Sequence, residues 1–333
     1  MTIDQSLLPR RVKWLRFTDG TSVIAAIKTM KIRGAPVIGA AAAYALALEA
    51  NLRAVKTRHE LLRRLRSTSS SLESARPTGR DLHYAAERVV KAARTGQSLD
   101  EVRCLAIEEA QEIANEQVAI GRRLTDIGQQ LIRDGDRILT HCNSGELATV
   151  EYGTALGAII RGWRKGKRVS VIATETRPLL QGARLSAWEL KRAGVPFKLI
   201  TDGMVAHVIS QKMVDKVMVG ADRVWPDGSI ANKIGTLTIA IVAREYGVPF
   251  YVVAPISSFD FVGEPDLRVI EHRNPKEVLE FNGKRIAPAG IQALNPAFDI
   301  TPARYVSAIA TEYGIVRPPF RPGLRRLKQR RPL

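Results

Sequence analysis

RILTH at residues 137–141 begins a series of five short apolar runs that decides the fold. The other four are RVSVIAT (168–174), FKLIT (197–201), KVMVGAD (216–222) and PFYVVAP (249–255). Each run has the length of a buried strand, and stretches with helical periodicity separate the runs. Strands joined by crossover helices predict an α/β fold with a parallel, doubly wound sheet, whose ligand crevice lies beyond the carboxyl ends of the strands. Functional side chains are therefore expected directly after each run.

The first third of the chain has a different pattern, which predicts a mainly helical N-terminal domain with small strands. The 3.6-residue periodicity predicts helices within 25–30, 40–50, 59–66, 82–93 and 99–130. Two short strands are expected at 13–17 and 21–24, joined by a turn at Asp19-Gly20. The predicted domains are the helical domain at 1–130, a Rossmann-like catalytic domain at 131–320 with a last helix at 301–314, and a basic tail at 321–333.

The composition is that of a globular protein, with 45% apolar and 25% charged residues in 333. No apolar run is long enough to span a membrane, and the start MTIDQSLLPRRVKW lacks the apolar region of a signal peptide, so a cytoplasmic protein is expected. Cys104 and Cys142 are the only cysteines, and five histidines are scattered along the chain. These numbers predict neither a disulfide framework nor a metal site.

The formal net charge is +18, but its distribution argues against a nucleic-acid partner. Six arginines and one lysine, with no acidic residue, lie in 317–333, so a short segment carries seven of the eighteen excess charges. Aromatic residues make up 6% of the chain and do not interleave with the basic runs, as a base-stacking surface would require. The excess charge is interpreted as solvated surface, with binding of RNA or an acidic partner by the tail as the alternative.

Polar residues follow four of the five runs, where a doubly wound sheet places its ligands. They are Cys142, Asn143, Ser144 and Gly145; Glu175, Thr176, Arg177 and Gln181; Asp202 and Gly203; and Asp222 and Arg223.

Two of these residues have the chemistry of a catalyst. Cys142 stands at a strand end before a glycine, where backbone N–H groups can activate a thiol as a base or nucleophile. The alternative is a small buried filler, which is the prediction for Cys104, and His141 is expected to be a packed strand residue rather than a dyad partner. Asp222 ends the most apolar strand, so a dry environment could keep its carboxyl protonated as a general acid. A pair with Arg223 is the equal alternative.

Three cations stand next to turns that precede predicted helices. Arg33 lies in KIRGAPVIGAAAAY, and the free N–H groups of a helix N-terminus together with a guanidinium form a phosphate cradle. Arg76 in ARPTGRDL and Lys233 in ANKIGT have the same arrangement. For the Arg33 segment the alternative is tight helix packing by its small residues, and for Arg76 and Lys233 it is a surface ion pair. The spacing of the glycines fits neither a Walker loop nor a dinucleotide-binding fingerprint.

Taken together, the motifs resemble those of the methylthioribose-1-phosphate isomerase family from Asp4 to about Phe320. This family is part of a larger group that includes regulatory subunits of the translation-initiation exchange factor. The resemblance rests on DQSLLP (4–9), KIRGAPVIGAAAAY (31–44), RPTGRDL (76–82), THCNSGELAT (140–149), ETRPLLQGARLSAWEL (175–190), LITDGMVAHVI (199–209), VGADRVWPDGSIANKIGT (219–236), PFYVVAP (249–255) and NPAFDITP (295–302).

The resemblance implies an activity, a site and an assembly. The implied activity is aldose–ketose isomerisation of 5-methylthioribose 1-phosphate to 5-methylthioribulose 1-phosphate in methionine salvage, without metal or cofactor. Cys142 and Asp222 match the catalytic pair of the family, with Asp222 as the proton donor. The substrate-binding positions of the family are matched by Arg33, Gly34, Ala35, Arg76, Gln181, Asn232 and Lys233. A homodimer with a helical N-terminal domain and a Rossmann-like C-terminal domain is implied.

One departure from the family pattern leaves alternatives open. Gly79, Arg80 and Asp81 replace the usual apolar and asparagine residues after RPT, and the additional Arg80 favours a second anionic group on the substrate. Ribose 1,5-bisphosphate, which carries such a group, and 5-deoxyribose 1-phosphate, which does not, are the alternative substrates, and Arg80 is the residue that discriminates between them. A non-catalytic regulatory subunit of an initiation factor is the alternative outside enzymology. Cys142 argues against it, because the regulatory relatives generally lack that cysteine.

Overall fold

The computed structural model describes residues 1–76, 79–265 and 270–329. The chain divides into two compact units, of which unit 1 comprises Met1–Arg122 and Glu146–Gly153, and unit 2 comprises Arg123–Gly145 and Thr154–Leu333. The division falls after Arg122, earlier than the boundary predicted at residue 130, and a short segment of the predicted catalytic domain belongs to unit 1. The sequence has no local signal for this, because Glu146–Gly153 joins unit 1 through long-range contacts such as the packing of Ala148 against Gly34.

Unit 1 is mainly helical around an alanine-rich central helix. Its elements are β1 (Thr2–Ile3), β2 (Trp14–Leu15), α1 (Gly20–Lys28), α2 (Ala35–Ala50), α3 (Arg58–Ala75), α4 (Arg80–Thr95) and the larger part of α5 (Leu99–Gly128). Helix α2 packs against α1, α3 and α4, and Ala42, Ala43 and Ala45 on it are fully buried. Side chains this small let neighbouring helices approach closely, so the small residues of this segment serve the packing of unit 1.

The strand predicted at 21–24 is wrong, because this segment belongs to helix α1. The side chain of Asp19 accepts a hydrogen bond from the backbone N–H of Ser22 at 2.7 Å, so Asp19 is the N-cap of α1 rather than a turn residue. Strand β2 lies inside the predicted strand 13–17, but its antiparallel partner is β1 at the start of the chain.

Unit 2 contains a large, mostly parallel sheet. The strands of this unit are β3 (Arg137–Thr140), β4 (Ser170–Thr174), β5 (Phe197–Ile200), β6 (Lys216–Val219), β7 (Arg223–Val224), β8 (Ile230–Lys233), β9 (Phe250–Val253), β10 (Glu280–Phe281), β11 (Lys284–Arg285), β12 (Phe298–Thr301), β13 (Ala308–Thr311) and β14 (Gly314–Val316). Its helices are α6 (Ala155–Arg164), α7 (Ala187–Ala193), α8 (Val205–Ser210), α9 (Thr236–Glu245), α10 (Lys276–Leu279) and α11 (Phe320–Gln329).

The strand order confirms the predicted fold class. Among the described residues the large sheet has seven strands in the order β14-β13-β9-β6-β3-β4-β5, and all neighbours are parallel except β13 and β14. Each of the five apolar runs forms one of its parallel strands. Strands β12, β8 and β7 form a separate antiparallel sheet. No helix in the described part of the chain is long and apolar enough to cross a bilayer.

Successive residues of the central strands β3 and β6 contribute to two different hydrophobic cores. Leu139, Val217 and Val219 belong to one cluster of buried residues, and Ile138 and Met218 belong to the other. Side chains on a strand alternate between the two faces of the sheet, so a strand covered by helices on both faces has to be apolar throughout. This explains why the runs show no polar alternation.

The C-terminal prediction of a helix at 301–314 is wrong. This segment contains the end of β12, strand β13 and the start of β14, and Thr301 pairs with Ile230 instead of capping a helix. The Thr-Pro pair that resembles a helix start is followed by one short 3₁₀ turn, Ala303–Tyr305, before the chain becomes extended.

The basic tail predicted at 321–333 is also different in the structure, since residues 320–329 form helix α11. Phe320, Leu324 and Leu327 are buried in the core of unit 2, at the three- and four-residue spacing of one helix face. The arginines of this helix occupy the remaining, exposed positions. Residues 330–333 lie outside the described part of the chain.

Candidate active site

The loops that carry Cys142 and Asp222 are neighbours at the carboxyl edge of the large sheet. Strands β3 and β6 are adjacent and parallel, and Cys142 and Asp222 follow their ends by two and three residues. A Cβ built on Gly220 would lie 3.4 Å from Cβ of Ser144, so the two loops are in van der Waals contact. The sheet therefore places the two loops side by side, although 80 positions separate Cys142 and Asp222 in the sequence.

Cys142 is half-buried, whereas His141 and Asn143 on either side of it are buried. The backbone of Cys142 is left-handed, with φ +64°, which costs an L-residue about 1–2 kcal/mol. Cys142 is therefore less buried than the alternative of a buried filler requires. The same prediction made for Cys104 is wrong, because Cys104 is exposed on α5.

The buried ring of His141 is a packing residue, as predicted, and not a partner of the cysteine. Its Nδ1 lies 2.6 Å from Oγ1 of Thr174, and its Nε2 lies 2.9 Å from the carbonyl oxygen of Ile234. Burial lowers the pKa of His141 below its usual value. The neutral ring then donates from Nε2 to the carbonyl and accepts at Nδ1 from the threonine hydroxyl.

This contact ties β8 to the same edge, because Ile234 directly follows it. Asn232 on β8 is buried, and its amide donates to Oγ1 of Thr236 at 3.0 Å. The ammonium group of Lys233 lies 4.6 Å from the ring centroid of Phe298, a cation–π contact rather than the surface ion pair of the alternative reading. Both predicted substrate-binding residues of this segment therefore lie next to the loop of Cys142.

Gln181 contributes a buried polar atom that lacks a hydrogen bond. The residue is 4% exposed, and its Oε1 accepts no hydrogen bond from any described residue. A buried acceptor left unpaired costs roughly 1–3 kcal/mol, so such an atom points to a ligand group as its partner. The next residue, Gly182, lies against the end of β4, where a Cβ would come 1.8 Å from the carbonyl oxygen of Thr174.

Asp222 differs from its predicted environment, because its side chain is exposed rather than dry. Strand β6 ends at Val219, and Asp222 lies in the loop that enters the β7–β8 hairpin, where its backbone N–H donates to the carbonyl of Ala231 at 2.9 Å. The guanidinium of Arg223 lies 3.8 Å from a carboxylate oxygen of Asp260. The burial of strand β6 therefore does not include Asp222, which follows it.

In unit 1 the Arg33–Ala35 segment is a tight loop that leads into α2. Gly34 has φ +109°, and a Cβ on it would lie 2.2 Å from the carbonyl oxygen of Ala148. The amide of Gln5 donates to the carbonyl of Leu147 at 2.7 Å and so holds the same segment. Helix α2 begins at Ala35 with a proline in its first turn, which gives the loop the N–H groups that were predicted to bind a phosphate.

Arg76 is the C-cap of α3, and its Nη1 lies 3.7 Å from Sδ of Met30. The Pro77 and Thr78 of the RPT motif lie outside the described residues. Arg80 is exposed and begins α4. A Cβ on Gly39 would lie 3.0 Å from the carbonyl oxygen of Asp81, so the start of α4 packs against the first turns of α2.

The structure also shows polar residues to which the sequence assigned no role, namely Ser186, Glu189 and Asp299. Asp299 accepts hydrogen bonds from the N–H groups of Gly235 (2.8 Å) and Leu237 (3.1 Å) and so caps the first turn of α9 next to Lys233. Burial raises the pKa of Asp299 to about 6. The position of Asp299 in the NPAFDITP motif marked it as part of the family pattern, but only the pairing of β12 with β8 shows which N–H groups it binds.

The raised pKa predicts a pH-dependent stability. The unfolded carboxyl titrates near 3.8 and the folded one near 6, so this group destabilises the folded state as the pH rises through that interval. The loss is about 3 kcal/mol once both states are ionised. Asp299→Asn should remove this loss, and urea unfolding at pH 4 and pH 7 measures it as the difference between the parent and the variant. The exposed Asp100→Asn is the control, and the same pH dependence in Asp299→Asn and the parent would contradict the assignment.

Comparison with known proteins supports the resemblance predicted from the motifs. A methylthioribose-1-phosphate isomerase of Dehalococcoides mccartyi is 48% identical over 319 residues, which are 95% of this chain and 95% of the relative. Another, of Pelotomaculum thermopropionicum, is 46% identical over 97% of this chain and 90% of the relative. The predicted resemblance is confirmed.

Two solved structures are similar over nearly the whole chain. The 5-methylthioribose 1-phosphate isomerase of Pyrococcus horikoshii has 43% identity and a TM-score of 0.93, covering 99% of this chain and 93% of that one. A structure described as the translation initiation factor eIF-2B, subunit delta, of A. fulgidus has 42% identity and a TM-score of 0.91, covering 98% and 96%. Residues 31–318 match the family model described as the initiation factor 2 subunit family. The chain therefore belongs to the initiation factor 2 subunit family.

Proposed function

We propose that this chain is an aldose–ketose isomerase that converts 5-methylthioribose 1-phosphate into 5-methylthioribulose 1-phosphate in methionine salvage. The observation that carries the proposal is the agreement of relatives at 44–48% identity, matched over at least 95% of this chain, that are named for this isomerase. The arrangement at the carboxyl edge of unit 2 supports it, because a thiol, a carboxyl group and an amide oxygen without a hydrogen-bond partner lie on neighbouring loops.

The reaction needs an acid, because a ribose that carries a phosphate ester on C1 cannot open its ring by losing a hydroxyl proton. In the proposal Asp222 protonates the ring oxygen, and the bond between C1 and that oxygen breaks. A carboxyl group serves as a general acid near neutral pH where its surroundings disfavour the charged form, and Asp222 is exposed in the structure. Bound sugar therefore has to cover Asp222 for this step, which makes desolvation by the substrate part of the mechanism.

The second step moves hydrogen from C2 to C1. The thiolate of Cys142 takes the C2 proton to give an enol, which retains the phosphate ester on C1. Return of the proton to C1, with loss of the C2 hydroxyl proton to Asp222, gives the ketose and restores both side chains. Direct transfer of hydride from C2 to C1 is the alternative route to the same product.

The remaining predicted residues are proposed to bind the substrate. Arg33, Gly34 and Ala35 offer a guanidinium and the N–H groups at the start of α2 to the phosphate. Arg76 and Lys233 add positive charge. Gln181 supplies an acceptor for a sugar hydroxyl, which would satisfy its unpaired oxygen, and Asn232 adds a second amide.

We propose a cytoplasmic homodimer that needs no metal or nucleotide cofactor. The acid and the base of the proposed steps are both side chains of this chain, so the chemistry requires no further group. A cytoplasmic location follows from the substrate, since a phosphorylated sugar does not cross a membrane unaided. The dimer is an expectation from the family resemblance.

A non-catalytic regulatory role in translation initiation is the second candidate function. It is favoured by the structure from A. fulgidus that is described as an initiation-factor subunit and has 42% identity to this chain. The two candidates differ in one measurable property, which is turnover of the sugar phosphate by the purified chain.

Substitution of the catalytic pair should abolish turnover. Cys142→Ser removes the base and Asp222→Asn removes the acid, so each should lower kcat at least about 1000-fold, within the range for loss of a positioned acid or base. Steady-state assay of ketose formation measures this, with circular dichroism as a check on folding. Cys104→Ser and Asp100→Asn, on the exposed surface of α5, are matched controls that should keep parental activity. Retained activity in Cys142→Ser or Asp222→Asn would remove that residue from the mechanism.

The substrate prediction is tested by comparing three sugars. We expect the highest kcat/KM for 5-methylthioribose 1-phosphate, with ribose 1,5-bisphosphate and 5-deoxyribose 1-phosphate at least about tenfold lower, the discrimination typical of one or two favourable contacts. Arg80→Ala should change kcat/KM for the bisphosphate more than for the other two sugars, and Arg94→Ala at the other end of α4 is its control. Equal or higher kcat/KM on the bisphosphate would overturn the proposed substrate.

A further inference from the structure

Side-chain hydroxyl groups hold both sides of the left-handed backbone of Cys142. The N–H of Cys142 donates to Oγ1 of Thr176 at 2.9 Å, and the hydroxyl of Ser186 donates to the carbonyl oxygen of Cys142 at 2.7 Å. The two hydroxyls come from different segments, one after β4 and the other directly before α7. Both polar backbone groups of Cys142 therefore depend on single side chains rather than on the hydrogen bonds of a strand.

Thr176 is itself rigidly held. It is fully buried, and its own backbone is left-handed with φ +63°. The carboxylate of Asp202 accepts the N–H groups of Thr176 (2.9 Å) and Arg177 (2.7 Å), which fixes this turn from the end of the neighbouring strand. The acceptor for the Cys142 N–H is therefore fixed before any ligand binds.

Ser186 is held in the same way from the other side. It is 1% exposed, and the side-chain amide of Asn143 lies 3.2 Å from its Oγ. The hydroxyl proton of Ser186 is used by the carbonyl of Cys142, so Oγ accepts from the amide. The same amide donates to Oε1 of the buried Glu189 at 2.7 Å. Asn143 thus fixes the hydroxyl of Ser186, and this hydroxyl holds the carbonyl group of Cys142.

We propose that Thr176 and Ser186 are positioning residues that direct the thiol of Cys142 toward the substrate. The proposal rests on the proposed function, in which this thiol takes the proton from C2. The left-handed backbone of Cys142 interrupts the alternation of side chains that a continuing strand would have, and Cys142 is the more exposed residue between the buried His141 and Asn143. Loss of either hydroxyl lets the backbone relax and turns the thiol away from the open edge of the sheet.

The experiment uses the full-length chain with Cys104→Ser as the background, so that Cys142 is the only cysteine. Thr176→Val and Ser186→Ala each remove one hydroxyl with little change in volume, and Thr176→Ser keeps it. Ser210→Ala is the matched control, because the hydroxyl of Ser210 also donates to a backbone carbonyl, that of His207 at 2.9 Å, at the exposed end of α8. Three quantities are measured: kcat and KM for 5-methylthioribose 1-phosphate, the rate of alkylation of Cys142 by iodoacetamide, and the melting temperature.

We expect kcat to fall about 10- to 100-fold in Thr176→Val and Ser186→Ala, the usual penalty for misplacing a reacting group by about 1 Å. KM should stay within about twofold, since the hydroxyls contact Cys142 and not the binding residues. Alkylation of Cys142 in the ligand-free protein should be at least about fivefold slower, because the thiol leaves its exposed position. Thr176→Ser should recover both quantities, and Ser210→Ala should match the background.

A purely structural role of the two hydroxyls would lower the melting temperature and leave kcat and alkylation of the folded protein within twofold of the background. That result overturns the proposal. The proposal is also overturned if Thr176→Ser lowers kcat and the alkylation rate as much as Thr176→Val does. If Thr176→Val does not fold, Ser186→Ala decides. If the background protein shows no isomerase activity, the proposed function fails, and the alkylation rates alone then decide whether the hydroxyls orient the thiol.

Discussion

The parallel pairing of β3 with its neighbours β4 and β6 is the constraint on which the candidate site depends. Leu139 on β3 is in register with Ile172 on one side and with Val217 on the other. Parallel strands end at the same edge of a sheet, so the loops that carry Cys142, Gln181 and Asp222 leave the sheet side by side. An antiparallel β4 or β6 would send its loop to the opposite edge and separate these residues by the length of a strand.

The loops at this edge are fixed by side chains instead of by strand pairing. A carboxylate accepts two backbone N–H groups in two places, Asp202 at the turn of Thr176 and Asp299 at the start of α9. Buried N–H groups have to be paired, and a carboxylate that accepts two of them holds a turn rigidly. The thiol of Cys142 and the amide oxygen of Gln181 then project from a fixed frame, which is the arrangement that catalysis by positioned groups requires.

The sequence predicts the parts of this arrangement that depend on hydrophobic pattern. All five strands are found, because residues covered on both faces of a sheet have to be apolar, although β5 at the sheet edge has two exposed residues, Lys198 and Leu199. The hairpin at 13–24 and the helix at 301–314 are wrong because Asp-Gly and Thr-Pro serve both turns and helix starts, and tertiary contacts decide between them. Helix α11 in the basic tail is not predicted, because its arginines conceal the spacing of Phe320, Leu324 and Leu327.

The details of the site are less accessible to sequence reasoning. Strand ends and the family motifs identify Cys142, Gln181 and Asp222. The left-handed backbone of Cys142 and Thr176 has no such signal, because neither position carries the glycine that usually marks this conformation. The exposure of Asp222 depends on where its strand ends relative to the β7–β8 hairpin. Ser186, Glu189 and Asp299 act on segments distant in sequence, so only their hydrogen bonds reveal them.

A crystal structure of the Cys142→Ser variant with bound 5-methylthioribose 1-phosphate would show directly whether the sugar lies at this edge of the sheet. We expect that C2 of the sugar faces residue 142, that the ring oxygen lies within hydrogen-bonding distance of Asp222, and that a sugar hydroxyl donates to Oε1 of Gln181. A sugar bound away from the carboxyl edge of the sheet, with Asp222 still open to solvent and the Gln181 oxygen still without a partner, would contradict the account.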